Sequence, residues 1–93
     1  MPQLPPKEKI NEVSFNLYPN PGKDKLYVNF EGENLQDGVL VFYNTLGDRV
    51  AFYNIKKENK LTELDITNLA QGYYLVTFTS INFSENKRFI KLK

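Results

Sequence analysis

The chain has 93 residues, with 12 basic and 11 acidic side chains and neither cysteine nor histidine. This length provides one hydrophobic core, for which six tyrosines and seven phenylalanines are available, and the missing cysteines exclude a disulfide framework. The balanced charge gives no field that would draw nucleic acid to the whole domain, and the missing histidines remove the commonest general base and metal ligand. We therefore expect no enzymatic activity and no cofactor.

Residues 1–13 are predicted to be a flexible linker arriving from an upstream protein. Three of the five prolines and four charged side chains fall in this segment, and such a composition resists regular structure. No apolar run is long enough to span a membrane, and the N-terminus lacks the apolar stretch of a signal peptide. A single domain is predicted over residues 14–93, and an exported protein would carry it as part of a longer chain.

The domain shows the pattern of an all-β fold. Short runs rich in Val, Ile, Phe and Tyr are broken by Gly, Asn and Asp about every 8–12 residues, which is typical of a sandwich or barrel. Pro19 and Pro21 end the first strand because proline cannot donate a backbone hydrogen bond. Residues 81–86 are predicted to form a polar hairpin, and no helix or repeat is indicated. The seven predicted strands cover residues 15–18, 25–31, 39–44, 49–55, 61–67, 73–80 and 87–93.

Alternation of apolar and polar residues predicts which side chains lie between two sheets. The apolar run of the third strand indicates a central strand covered on both faces. In the last strand, Ile90 and Leu92 are assigned to one face, and Phe89 and Lys91 to the other. The predicted core consists of Leu26, Val28, Phe30, Val41, Leu64, Ile66, Leu69, Tyr74, Val76, Phe78 and Ile90.

Candidate chemistry is sparse. No histidine is present to activate a serine. The carboxylates Asp24, Asp37 and Asp48 lack the spacing of a dedicated calcium loop, so no metal site is predicted. Gly22 and Gly47 stand alone in turns and do not form a phosphate cradle. The tyrosines are numerous enough for a sugar-stacking platform, but tyrosine is also an ordinary strand residue.

Three segments occur in a characteristic order: an aromatic residue before Pro-Asn-Pro, a Leu-x-x-Gly-x-Tyr-x-Val motif, and a basic closing strand. In this order they resemble the type A C-terminal sorting domain of the type IX secretion system of Bacteroidetes. The segments supply the predicted sorting-signal residues, namely Tyr18, Pro19, Asn20 and Pro21, then Leu69, Gly72, Tyr74 and Val76, and finally Lys87, Arg88, Ile90, Lys91 and Lys93.

The resemblance implies an immunoglobulin-like β-sandwich of about seven antiparallel strands that serves as a secretion signal. A fused cargo protein would pass through the periplasm and would then be directed across the outer membrane to the cell surface or the medium. The implied partners are this cargo, the type IX translocon and a surface sortase, which removes the domain and anchors or releases the cargo. The domain itself is expected to be a monomer without a transmembrane segment.

Two questions remain open at this level. The basic closing strand is either part of the address or a set of lysines that protects an exposed sheet edge against aggregation. The rival functions are a carbohydrate-binding or adhesive β-sandwich module and a structural spacer, which fold analogy does not separate from a secretion signal. If a sortase acts, we expect it to cut within residues 2–14, because folded strands resist a protease.

Overall fold

A computed structural model describes residues 13–32, 35–81 and 83–93. Within these ranges the chain forms strands and turns and no helix, which confirms the predicted all-β class. No described segment is a helix suited to crossing a membrane. Residues 1–12, most of the predicted linker, lie outside the described residues. The seven strands are β1 (Val13–Tyr18), β2 (Lys25–Gly32), β3 (Gly38–Tyr43), β4 (Arg49–Ile55), β5 (Leu61–Asp65), β6 (Gly72–Ser80) and β7 (Phe83–Lys91).

The strands form two antiparallel sheets. One sheet has three strands in the order β1-β2-β5, and the other has four in the order β4-β3-β6-β7. This is the arrangement of an immunoglobulin-like sandwich in which the fourth strand pairs with the third. β3 is central in its sheet, as its apolar sequence predicts, because β4 and β6 flank it.

The core lies between the two sheets and is rich in aromatic rings. Phe30 and Phe78 come from opposite sheets, and their ring centroids are 4.8 Å apart in a tilted arrangement. A second group of rings surrounds Phe42, which meets Phe89 edge-on at a centroid distance of 6.2 Å. Such edge-to-face and tilted contacts are the geometries that aromatic rings prefer. Most of the predicted core residues are buried here, and Leu69 packs against the cluster from a partly exposed position.

Two predicted core residues were assigned to the wrong face. Val41 is buried, but it alternates with the fully buried Leu40 and Phe42 and therefore points away from the opposite sheet. Ile90 is 37% exposed, whereas Phe89 is fully buried. Tyr74 is directly opposite Phe89 in the antiparallel pair, and directly opposite residues share a face. Since Phe89 and Ile90 are both apolar, alternation alone cannot decide which of them points inward.

Two strands also begin clearly earlier than predicted. β1 begins at Val13, which is buried and paired with Gly32. β7 begins at Phe83, so residues 83–86 belong to a long β6–β7 hairpin instead of a polar loop. Thr77 donates a hydrogen bond to Asn86 across this hairpin. Serine and asparagine resemble turn formers in sequence, but on a solvent-facing strand they pair across the sheet.

Candidate functional site

The three predicted signal segments meet around one residue of the last strand. Lys91 is paired with Gly72 of β6 on one side. On its other side it forms a parallel bridge with Gly22, which follows the Pro-Asn-Pro segment. The fold thus brings together parts of the chain that are far apart in sequence. We call this region the Lys91 junction, comprising residues 18–22, 69–76 and 87–93.

Asn20 ties the Pro-Asn-Pro segment to the edge of β7. Its side-chain Nδ2 donates to the Arg88 carbonyl at 2.9 Å, and the Ile90 backbone N–H donates to its Oδ1 at 3.1 Å. The amide side chain therefore makes the two bonds that a neighbouring strand residue would make. The flanking Pro19 and Pro21 are exposed, and both follow cis peptide bonds. Tyr18 stacks on Tyr27 of β2, with ring centroids 5.7 Å apart.

Gly22 continues this contact with its backbone. Its N–H donates to the Ile90 carbonyl at 2.9 Å, and the Leu92 N–H donates to its carbonyl at 2.6 Å. A Cβ at this position would lie 2.8 Å from the Pro19 carbonyl oxygen and 3.0 Å from the Phe89 ring. Close backbone approach therefore requires glycine here. No sequence pattern indicates this role, since a glycine after two prolines is equally typical of a simple turn.

The Leu-x-x-Gly-x-Tyr-x-Val motif forms the turn between β5 and β6. The Tyr74 hydroxyl donates to the Ala70 carbonyl, which is the tyrosine corner found at this point of immunoglobulin-like sandwiches. Gly72 has φ +149°, a backbone conformation that residues with a side chain rarely adopt. Leu69 packs on the edge of the core, and Val76 is fully buried. Burial raises the pKa of the Tyr74 hydroxyl.

The basic residues of the closing strand do not form a uniform row of exposed cations. Lys91 is only 6% exposed, and its Nζ donates to the Leu92 carbonyl at 3.1 Å. The Lys87 Nζ lies 5.9 Å from the centre of the Phe15 ring and 3.7 Å from a Glu85 carboxylate oxygen. Arg88 and Lys93 are exposed. The lysines thus have different surroundings, and residues 20–22 cover the sheet edge from Arg88 to Leu92.

The remaining charged groups occupy ordinary surface positions. Lys25 and Glu63 form an exposed ion pair at 2.6 Å across β2 and β5, and Glu63 raises the pKa of Lys25. Asp65 accepts hydrogen bonds from the backbone and hydroxyl of Thr67, which lower the pKa of that carboxyl. In the described ranges no three acidic side chains are close enough to hold a metal ion.

A comparison with known protein families gives one match over nearly the whole domain. The model described as a secretion system C-terminal sorting domain matches residues 16–92. The matched range begins inside β1, ends after β7 and contains almost every residue of the Lys91 junction. No curated protein matches the chain.

Proposed function

The chain belongs to the family of type IX secretion C-terminal sorting domains, and from this premise we propose that it directs an upstream cargo protein across the outer membrane. The cargo reaches the periplasm by a separate signal and leaves it through the type IX translocon. The observation that carries this proposal is the family match over residues 16–92. The Lys91 junction supports it, because the segments typical of the family meet there in one folded unit.

The proposed role is that of a passenger address and not of a catalyst. The translocon reads the folded domain, and a surface sortase then separates it from the cargo, which is anchored or released. The cut lies upstream of Val13, because from Val13 onward the backbone is paired with β2. A protease needs extended backbone that is free of such pairing.

The function is tested by fusing the whole chain behind a signal peptide and a reporter in a bacterium with a type IX system. We expect the reporter at the cell surface or in the medium. Two controls are required: the same reporter without the chain, and the full fusion in a strain that lacks the translocon. Both controls should leave the reporter in the periplasm. A full fusion that stays in the periplasm of the competent strain would overturn the proposal.

The cleavage step has a separate test, which is mass spectrometry of the exported cargo. We expect a mature C-terminus upstream of Val13 in the competent strain and an uncut protein in a strain without the sortase. Exported cargo that still carries Lys93 would show that the domain is retained, while leaving its role in export intact.

A further inference from the structure

The outer side of the four-stranded sheet exposes several large apolar side chains. Cross-strand pairing places Tyr43, Leu75 and Arg88 in one row, and Tyr73 and Ile90 in the next. Tyr73 is 66% exposed, Phe52 on the edge strand is 58% exposed, and Leu75 is 40% exposed. We call the set of Tyr43, Phe52, Tyr73, Leu75, Arg88 and Ile90 the apolar outer face.

The opposite outer side shows that sandwich formation does not require this exposure. There the three-stranded sheet presents mostly polar side chains, such as the Lys25–Glu63 ion pair, Asn16 and Glu31, although Tyr18 and Leu61 are also exposed. An antiparallel sheet with one face in water is ordinarily polar on that face. A contiguous apolar patch on a small domain marks an interaction site more often than a packing need.

The charge and the shape of the apolar outer face indicate which kind of ligand it binds. Beside it lies a cavity of about 440 Å³ whose lining includes Tyr73, Leu75, Arg88 and Ile90. In the described part of the chain, no side chain forms an ion pair with the Arg88 guanidinium. The other arginine of the sheet, Arg49, lies opposite Tyr43, and no outward position of these strands is acidic. A carboxylate would complement this surface, because arginine binds carboxylates in a two-pronged geometry.

We propose that the apolar outer face docks a protein segment of the export apparatus that presents apolar side chains next to a carboxylate. The inference rests on the proposed function and assigns the surface that the translocon reads. The apolar side chains of the docked segment fill the cavity, and its carboxylate pairs with Arg88. An anionic membrane is a poorer match, since recognition of a lipid surface typically uses about 4–8 clustered Lys or Arg.

The first test measures export of the reporter fused to the whole chain. The variants Tyr73→Ser with Leu75→Ser, and Arg88→Glu, are paired with matched controls on the other side of the sandwich. The controls are Leu61→Ser, which also changes an exposed leucine, and Lys60→Glu, which also reverses an exposed charge. We expect a loss of at least about tenfold in export for the face variants, as for interface anchors. The control variants should have a melting temperature and a level of export near those of wild type.

The second test asks whether Arg88 meets a carboxylate. Export by Arg88→Glu should be restored by a Lys or Arg replacing one Asp or Glu in a translocon component, and that change should weaken export by wild type. If folded face variants export like wild type while wild type itself is exported, the docking inference is wrong and the proposed function stands. If the reporter fused to the wild-type chain is not exported, the proposed function is wrong, and the docking inference that rests on it is wrong as well.

Other occupants give distinct results, each of which would overturn the inference. Binding of the purified chain to phosphatidylglycerol vesicles, lost in Arg88→Glu, would assign the face to a membrane. Specific binding on a glycan array, lost in Tyr73→Ser, would assign it to a sugar. Protection of Tyr73 from chemical modification that disappears when residues 1–12 are replaced by a Gly-Ser linker would assign it to the chain itself.

Discussion

The Lys91 junction and the apolar outer face use alternate residues of the same two strands. At the junction, Phe89 and Lys91 are buried, and backbone groups are tied to Asn20 and Gly22. On the outer face, Arg88 and Ile90 leave the same strand in the opposite direction. Among the predicted signal residues, Tyr74, Val76 and Lys91 are thus buried in the fold, whereas Arg88 and Ile90 are exposed on the outer face. In the proposed docking, folding and recognition are separated by a single step along β7.

The largest expected effect separates two adjacent side chains of β7. Phe89→Ala removes a fully buried ring and should lower the free energy of unfolding by about 3–5 kcal/mol. Ile90→Ala removes a partly exposed side chain of the outer face and should cost less than about 1.5 kcal/mol, between an ordinary surface substitution and the truncation of a buried aliphatic side chain. Urea denaturation of the two variants gives the comparison. Equal losses would contradict the observed strand orientation.

The next effect concerns the side-chain contact that holds the Pro-Asn-Pro segment on β7. Asn20→Ala removes two hydrogen bonds to the backbone and should cost about 1–3 kcal/mol, the sum of two ordinary bonds. The control is Asn16→Ala, which removes an exposed asparagine of β1 and should change stability by less than about 0.5 kcal/mol. Hydrogen exchange should also become faster at the amide of Ile90. Unchanged exchange in a destabilised variant would show that Asn20 acts elsewhere.

A smaller effect with a pH signature is expected at the tyrosine corner. Tyr74→Phe keeps the ring but removes the bond to Ala70, which should cost about 1 kcal/mol at neutral pH. Because burial raises the pKa of Tyr74, the folded state holds this proton more tightly than the unfolded state. Its contribution is complete below the unfolded pKa of about 10 and declines as the pH rises through the folded value.

The decisive measurement at the corner is urea denaturation between about pH 8 and 11, a window that spans the ordinary pKa of tyrosine. Wild type should lose stability more steeply than Tyr74→Phe across this window. Some alkaline loss should remain in the variant, since burial also raises the pKa of Tyr53. Parallel curves for the two proteins would show that the Tyr74 proton does not contribute.

The smallest expected effect distinguishes two lysines of the closing segment. Lys91→Gln disturbs a buried side chain whose Nζ donates to Leu92 and should cost about 0.5–1 kcal/mol, the lower part of the range for one hydrogen bond. Lys93→Gln changes an exposed residue and should stay within about 0.5 kcal/mol of wild type. Thermal unfolding of both variants tests this difference. Identical melting curves would mean that the lysines are equivalent, as a row of edge charges would be.

The sequence predicted the number and class of the strands because alternation and turn residues are local signals. It failed at β7, where adjacent apolar residues leave the inward face undecided, and at residues 83–86, where polar side chains resemble a turn. The contact between Asn20 and Arg88 joins residues 68 positions apart, and no local pattern reveals such a pair. The spacing from Ala70 to Tyr74, at a turn before an apolar strand, is compatible with a tyrosine corner. Identifying the corner also requires knowing which strands the turn connects, and the sequence does not show this.

The prediction that the family-typical residues carry the sorting signal stays a prediction. One measurement tests it against the proposal that the export apparatus binds the apolar outer face. Export of the fused reporter is measured for Asn20→Ala and for Tyr73→Ser with Leu75→Ser, at a temperature where circular dichroism shows both domains to be folded. We expect Asn20→Ala to be exported nearly as well as wild type, while the outer-face variant remains in the periplasm. Loss of export by folded Asn20→Ala, with normal export of the outer-face variant, would contradict it.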